Sequence, residues 1–228
     1  MSSDTFPRPV ARQARSRETQ NRILDAGIRL LEEGGPEALT VAAVAEAAGV
    51  SVGSVYRRFG DKERLLLAIQ SRFTGDLAAE FIRHPADLNL AATTPPAAVI
   101  AAAVRGTAES LHFHATLMRV FILLGTHNQA VFTHGSAVST QGGRAFRDTV
   151  MLAAPALRHH TDIEAAIDFA YRMVYATCAH RLVHGEHLES HRPLPWPDLV
   201  DQLRRAVTAY LLDAPTAASA NDHQEVDH

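Results

Sequence analysis

The chain has 228 residues, 46% of them hydrophobic, which is enough apolar material for one large core or two modest ones. No apolar run reaches the roughly 18 to 20 residues of a membrane span, and the Arg- and Pro-rich N-terminus lacks a signal peptide's apolar segment, so a cytoplasmic location is expected. The net charge is -3, and the only cysteine, Cys178, excludes an intrachain disulfide or a zinc site of several thiolates.

Charge is distributed unevenly along the chain. Residues 1–72 contain 11 basic and 9 acidic side chains, whereas residues 73–228 contain 11 basic and 16 acidic ones. The negative total therefore hides a local basic region. Residues 1–17 combine several arginines with almost no apolar periodicity, which predicts a flexible basic arm. Such an arm is either a solvated tail or a segment that becomes ordered on a polyanion.

Three helices are predicted after this arm. From Thr19 onward apolar residues recur at steps of three and four, until the Gly-Gly-Pro sequence at 34–36 ends the run. Thr40 is placed to cap a second, short helix over residues 41–47. A third helix is predicted from about residue 51 to 59, only a few residues later.

The second and third helices carry the spacing of a helix-turn-helix. Ala45 is small where the helices would touch, Gly49 tolerates a positive φ at the turn, and Val55 is an apolar anchor for the third helix. The alternative is a small helical subdomain without a DNA role, which would leave the exposed arginines and the basic arm without a function.

The sequence TVAAVAEAAGVSVGSVYRRFGDKERLL resembles the N-terminal domain of the TetR (tetracycline-repressor-like) transcriptional regulators, in detail over about residues 18–70. The resemblance implies an all-α chain with a three-helix helix-turn-helix DNA-binding domain over 18–64 and a helical ligand-binding and dimerisation domain over 65–213. The polar, Ala-rich residues 214–228 are expected to be a disordered tail.

The resemblance also indicates which residues contact DNA. Thr40, Tyr56 and Lys62 match family positions that bind phosphate, with Lys62 at a helix N-terminus where free N–H groups would share the anion. Small residues let the third helix sit deep in the major groove. The base-contact candidates are Ser51, Val52, Gly53 and Ser54, and Val52 could touch a thymine methyl.

Arg57 and Arg58 depart from the family pattern, in which aromatic or His residues often stand there. Either arginine could reach a phosphate or a guanine, and the alternative is that one of them points to solvent. One such helix-turn-helix neutralises few phosphates. We therefore expect a homodimer that places its two helix-turn-helices one DNA turn apart on a palindromic double-stranded DNA operator.

The remainder of the chain is predicted to be helical. A fourth helix extends from Lys62 toward Arg83 and ends at Pro85, and a fifth begins at Thr94 to Pro96. The apolar residues 117–124 form a buried helix, while the Gly-, Ser- and His-rich residues 127–143 are expected to be a flexible segment.

Three further helices are predicted. One covers about residues 143–154 and ends at Pro155, and an eighth is started by a capping box at Thr161 to Glu164 and ended by Gly185. The last is opened by Pro197. The eighth and last helices are apolar on broad faces, which indicates a four-helix dimer interface with two helices from each subunit.

A largely apolar small-molecule effector is expected to bind among the middle helices. Aromatic and Met side chains there would form an adaptable pocket, although for each one alone a plain core position is favoured over a ligand contact. The candidates are Phe113, Met118, Phe121, Phe146, Phe169 and Met173.

Other classes of function receive less support. His180 and His184 have helical spacing, but Gly185 interrupts the series and no ligand set is completed, so no metal site is predicted. His112 or His114 could be a polar pocket contact. No nucleophile motif or phosphate-binding glycine loop occurs, so neither an enzyme nor a cofactor is expected. A constitutive architectural DNA-binding protein without a ligand remains the alternative to a repressor that an effector releases from DNA.

Overall fold

The computed structural model describes residues 9–87, 90–91 and 93–213, which are mainly helical with no strand among them, as predicted. The α-helices of this part are α1 (Pro9–Ala38), α2 (Val41–Ala47), α3 (Val52–Phe59), α4 (Lys62–Asp87), α5 (Pro96–Phe113), α6 (Ala115–Gly125), α7 (Gln129–Val150), α8 (Ile163–His184) and α9 (Trp196–Leu212). A 3-10 helix (Met151–Leu157) follows α7. None of these helices is both long and apolar enough to cross a membrane.

The chain forms two compact units. The first contains the chain up to Ala79 together with His114–Ser139, and the second contains Glu80–Phe113 and the chain from Thr140 onward. This division differs from the predicted boundary between residues 64 and 65. The reason is that α4 as far as Ala79 and the whole of α6 share a core with α1. The chain crosses between the units within α4, between α5 and α6, and within α7.

The core of the first unit is apolar and closely packed. Its members come from α1 to α4 and α6, and Phe73 stacks on Phe121 with ring centroids 5.7 Å apart. Gly27 lets α1 approach α4, because a Cβ at Gly27 would lie 2.8 Å from Cγ1 of the fully buried Ile69 and closer still to its Cδ1. The fully buried side chains here include Ile23, Leu31, Leu39, Val44 and Leu65.

The first helix begins earlier than its apolar pattern predicts. Residues 9–17, expected to belong to a flexible arm, are helical, while residues 1–8 of that arm lie outside the described residues. Arg, Gln and Ala dominate this segment and are good helix formers, and Pro is favourable at a helix start. The predicted stop at 34–36 coincides with a break in the helix, because Gly35 has a non-helical φ of 65°, and a short helical segment then continues as far as Ala38.

The segment predicted to be flexible, residues 127–143, is instead largely part of α7. Asn128 starts this helix, since its Oδ1 accepts hydrogen bonds from the N–H groups of Ala130 and Val131, both at 3.0 Å. A composition rich in Gly, Ser and Thr predicted a loop, but the cap and the buried Val131 stabilise a helix. The predicted tail over residues 214–228 lies outside the described residues.

Both prolines expected to end helices lie within helical segments. The fourth helix continues through Pro85 to Asp87. The seventh ends at Val150, and Pro155 lies inside the 3-10 helix that follows. Proline removes one N–H donor and disturbs the preceding turn, which kinks or tightens a helix without always ending it.

In the second unit α5 packs against both α8 and α9. As predicted, its buried face contains Val99, Ile100, Ala103, Val104, Thr107 and Leu111. The cap of α8 is Asp162, whose Oδ1 accepts from the N–H of Ala165 at 3.0 Å, so the predicted cap at Thr161 was one residue too early. Gly185, with φ 80°, ends α8 as predicted.

Glu164 and Cys178 of this unit have displaced pKa values. Arg147 donates two hydrogen bonds to the Glu164 carboxylate and lowers the pKa of that group, so Glu164 serves an ion pair and not a capping box. Burial raises the pKa of the Cys178 thiol to about 12, which keeps it protonated and poorly nucleophilic at neutral pH.

We expect Gly27→Ala to destabilise the protein by about 1–3 kcal/mol, because the added methyl group must displace a buried, β-branched side chain. Urea unfolding of the variant measures this change. Gly53→Ala is the control, since a Cβ at Gly53 meets no atom within 4 Å, and its stability should equal or slightly exceed that of the wild type. Equal stability of the Gly27→Ala variant and the wild type would contradict the close approach of α1 and α4.

Candidate nucleic-acid interface

The turn between α2 and α3 has the geometry that the sequence predicts. Thr40 caps α2, with its Oγ1 accepting from the N–H of Ala43 at 3.1 Å. Gly49 has φ 63°, a left-handed conformation that side chains with a Cβ rarely adopt. The N–H of Val50 then donates to the carbonyl of Ala45 at 2.9 Å, and this bond closes the turn. The two helices are thereby held at a fixed angle.

The third helix is anchored on one side and exposed on the other. Val55 is 1% exposed, whereas Val52 and Tyr56 are 42% and 50% exposed. An eight-residue helix is too short to be stable alone, so the burial of Val55 and the packing of α2 hold it in place. Exposed apolar side chains beside a buried anchor are typical of a surface that binds a partner.

A chain of hydrogen bonds runs along the exposed side of α3. Ser51 caps the helix, with its Oγ accepting from the N–H of Ser54 at 3.2 Å and its hydroxyl donating to Ser54 Oγ at 3.0 Å. Arg57 Nη2 donates to the same Ser54 Oγ at 3.2 Å. Arg57 is exposed but is therefore oriented along the helix toward Ser54.

Arg58 differs from its neighbour. It is half-buried, and its Nη1 lies 3.5 Å from the carbonyl oxygen of Ser54, so its guanidinium folds back along the helix. Gly53, in contrast, faces open space, because a Cβ added there would meet no atom within 4 Å. The geometry thus brings most of the predicted contact residues together on one accessible helix, namely Ser51, Val52, Gly53, Ser54, Tyr56 and Arg57.

Lys62 is the first residue of α4 and is exposed, but the helix end beside it differs from the expectation. Asp61 already caps this end, since its Oδ1 accepts from the N–H of Arg64 at 2.8 Å and its carboxylate lies 3.6 Å from the Arg64 side chain. A phosphate at this position would have to bind to the Lys62 ammonium without help from that N–H group. The exposed Thr40 hydroxyl keeps its own proton available for a phosphate.

Arg22 lies beside the helix-turn-helix but was not among the contact residues that the sequence predicts. Its Nη1 lies 3.9 Å from the position that a Cβ at Gly49 would take, so the guanidinium flanks the turn before α3. Its seven-residue spacing from Arg15 was the available signal, because such residues lie on one side of a helix.

The six candidates for an effector pocket are divided between the two units. Met118 and Phe121 are buried in the first unit, whereas the other four belong to the second. Phe113 is 80% exposed and Phe169 is 50% exposed, contrary to the expectation that they line an enclosed pocket. The reason is that these two side chains lie on the outer sides of their helices. For Met118, Phe121, Phe146 and Met173 a pocket role stays a prediction.

The second unit contains an open cavity of about 970 Å³ between the end of α8, the following loop and the start of α9. Its lining includes Thr177, His180 and Glu189, and none of the six pocket candidates. His180 Nδ1 lies 2.7 Å from Glu189, and the His180 and His184 rings are 4.5 Å apart. Within the described residues, no group of three His, Cys, Asp or Glu side chains is arranged to hold a metal ion.

The two histidines considered as pocket contacts pack on aromatic rings. In the second unit His112 stacks on Trp196 with ring centroids 4.4 Å apart. In the first unit His114 meets the Phe73 ring edge-on at 5.4 Å. Both imidazoles therefore take part in side-chain packing.

The geometry of α2 and α3 defines a helix-turn-helix protein. Comparison with known proteins identifies its kind: residues 23–69 match the family of bacterial regulatory proteins named tetR. The regulator BetI of Burkholderia thailandensis is 34% identical over 101 residues, which cover 44% of this chain and 50% of BetI. The repressor KstR of Mycolicibacterium smegmatis is 46% identical over 56 residues, 25% of this chain and 28% of KstR. The matched part of the chain thus spans about half, or less, of the length of these relatives.

Solved structures share the fold over most of the chain. A TetR transcription regulator from Haloarcula marismortui has a TM-score of 0.61 at 16% identity, covering 86% of this chain and 97% of that one. The multidrug binding protein EbrR, complexed with proflavin, has a TM-score of 0.59 at 17% identity, covering 84% and 99%. The predicted resemblance of the helix-turn-helix region to the TetR family is thus confirmed over residues 23–69, and the solved structures show that the all-helical fold is shared over most of the chain.

We expect Ser51→Ala to destabilise the protein by about 1 kcal/mol, because α3 loses its side-chain cap. Ser51→Asn is the matched variant, since Asn is an equally good cap, and it should retain the wild-type stability. Urea unfolding compares the two. A loss of stability that is the same in both variants would show that the cap is not the cause.

Proposed function

We propose that the chain is a ligand-responsive transcriptional repressor that binds a palindromic DNA operator as a homodimer and is released by a small-molecule effector. Thr40, Tyr56 and Lys62 contact phosphate, and the residues from Ser51 to Ser54 at the start of α3 contact base edges. This assignment rests on the family of the helix-turn-helix and on the arrangement of α3. KstR, a relative over this region, is a repressor, which favours repression over activation.

The exposed face of α3 is the observation that carries the proposal. Val52 and Tyr56 are exposed apolar side chains, and Ser51, Ser54 and Arg57 already form an ordered chain of hydrogen bonds. A pre-ordered arginine loses less side-chain entropy when it binds a phosphate or the O6 and N7 atoms of guanine. The small residues at the start of α3 allow a close approach to the groove floor.

Dimerisation is required for a specific affinity, because one helix-turn-helix makes few phosphate contacts. The outer side of α8 and α9 supports this role. Phe169 and Tyr210 are 50% and 38% exposed, and their rings lie 5.3 Å apart, so they form a continuous aromatic surface across the two helices. We assign this surface to the pairing of two chains through α8 and α9.

An effector would act through α4, the helix that begins beside the helix-turn-helix and continues into the second unit. A ligand that favours one position of α4 changes the spacing of the two helix-turn-helices of the dimer and with it the affinity for DNA. EbrR, which shares the fold, was solved in complex with proflavin, and this supports a small-molecule effector for the chain. A constitutive architectural role would instead leave DNA affinity independent of any ligand.

A glycine substitution on α3 tests DNA binding without disturbing the core. Gly53→Leu should weaken specific binding at least about tenfold, because the side chain prevents close approach to the groove while its Cβ meets no protein atom. The assay is fluorescence anisotropy with the DNA adjoining the protein's own gene, with random-sequence DNA as competitor.

Gly75→Leu is the matched control for this variant. Gly75 is also an exposed helical glycine with no atom within 4 Å of its Cβ position, but it belongs to α4 and not to α3. This control should bind DNA like the wild type. Equal affinities of the wild type and the Gly53→Leu variant would refute the placement of α3 in the groove.

The proposed dimer surface is tested by placing a charge on it. We expect Phe169→Glu to shift the protein from dimer to monomer, because pairing through this surface would bury an unpaired carboxylate from each subunit. Light scattering after size-exclusion chromatography measures the mass. Leu123→Glu, a similar change at an exposed apolar residue of α6, should leave the dimer intact. A Phe169→Glu variant that remains dimeric rules out this face as the interface.

A further inference from the structure

The first helix extends well beyond the core that it stabilises. Ile23 is its first fully buried residue, and the described side chains from 13 to 22 are exposed except for the half-buried Thr19. Residues 9–22, the helical projection, span about 21 Å at 1.5 Å per residue. The helical projection precedes residues 23–69, which match the family, and its described side chains contribute nothing to the fully buried core.

The direction of the helical projection follows from two contacts of α1. Arg22 lies beside Gly49 in the turn that leads into α3. About one and a half turns later, Gly27 lies against Ile69 of α4. The helix thus runs from the helix-turn-helix toward α4, and its N-terminal extension continues past the turn on the side away from α4.

The helical projection is strongly basic. It carries Arg12, Arg15, Arg17 and Arg22 against one carboxylate, Glu18. Arg15 and Arg22 are seven residues apart, so they lie on the same side of α1, about 10 Å apart along its axis. Arg17 lies on nearly the opposite side. No ion pair or hydrogen bond joins the guanidinium of Arg15, Arg17 or Arg22 to another described residue.

We propose that Arg15 and Arg22, the arginine stripe, bind the phosphates of duplex DNA next to the half-site that α3 contacts. Arg22 lies beside the turn that precedes α3, and Arg15 continues the same line along the helical projection. Because neither guanidinium has a partner among the described residues, both can bind phosphate without breaking an ion pair of the fold. The proposal rests on the proposed DNA-binding function and extends its footprint.

The salt dependence of binding tests the arginine stripe without knowledge of the operator. The probe is a random-sequence duplex of about 40 base pairs, longer than two half-sites one turn apart. For the full-length chain, Arg15→Gln should reduce the slope of log K against log salt by about 2 per dimer, because each lost phosphate contact removes about 0.9. Affinity at moderate salt should fall on the order of tenfold. Arg22→Gln should behave in the same way.

Arg17→Gln is the matched control, with the same change of charge on the same helix. Its slope should stay close to that of the wild type. Equal reductions of the slope in the Arg15→Gln and Arg17→Gln variants would indicate a general charge effect and refute phosphate binding by the arginine stripe. An unchanged slope for Arg15→Gln would refute it as well. Glutamine is about as good a helix former as arginine, and circular dichroism verifies that helix content is retained.

These outcomes separate the arginine stripe from the function on which it rests. If the wild-type chain binds duplex DNA and the Arg15→Gln and Arg22→Gln variants show the same slope of log K against log salt, only the phosphate-binding role of the arginine stripe is refuted. A wild-type chain that binds no duplex refutes the DNA-binding function, and the arginine stripe with it.

Discussion

The burial of Val55 is the contact on which the proposed DNA-binding face depends. Val55 is the buried residue of α3, and an eight-residue helix has little stability of its own. The exposed side chains of that helix, from Val52 to Arg57, take their positions from this anchor, from the Ser51 cap and from the left-handed turn at Gly49. A short helix that is fixed at one side can leave its other side free of contacts with the core. This explains how an apolar residue such as Val52 remains exposed without a loss of order.

The first half of α4 is held to the start of α7 by polar contacts inside the first unit. Gln70 Nε2 donates to the carbonyl of Val131 at 3.0 Å, and the Thr74 hydroxyl donates to the carbonyl of Gln70 at 2.8 Å. Thr74 Oγ1 also lies 2.9 Å from Nε2 of His134, which is a second polar contact between the two helices. Directed bonds of this kind fix the register of two helices more strictly than apolar packing does. Both α4 and α7 continue into the second unit.

The sequence predicted the helix-turn-helix because its determinants are local. Thr40, Gly49 and Val55 act within a few residues of their own position, so a cap, a turn and an anchor can be identified from spacing alone. The prediction failed where distant packing decides the structure. Residues 127–143 have the composition of a loop, but Asn128 caps a helix there and Val131 is buried in a core built by other segments. Likewise, Phe113 and Phe169 are apolar enough for a pocket, but only the arrangement of α5, α8 and α9 determines that they point outward.

The negative net charge of the chain is compatible with a polyanionic partner because its arginines are used in two ways. In the first unit Arg64 pairs with Asp61, and Arg72 lies within 4 Å of Asp25 and Asp76, so these charges are neutralised by the fold. Arg15, Arg22 and Arg57 have no carboxylate partner among the described residues, and they flank or belong to α3. Exposed ion pairs contribute little to stability, so leaving arginines unpaired costs the fold almost nothing. The charges of Arg22 and Arg57 therefore remain available beside α3, where counterion release from DNA would supply the affinity.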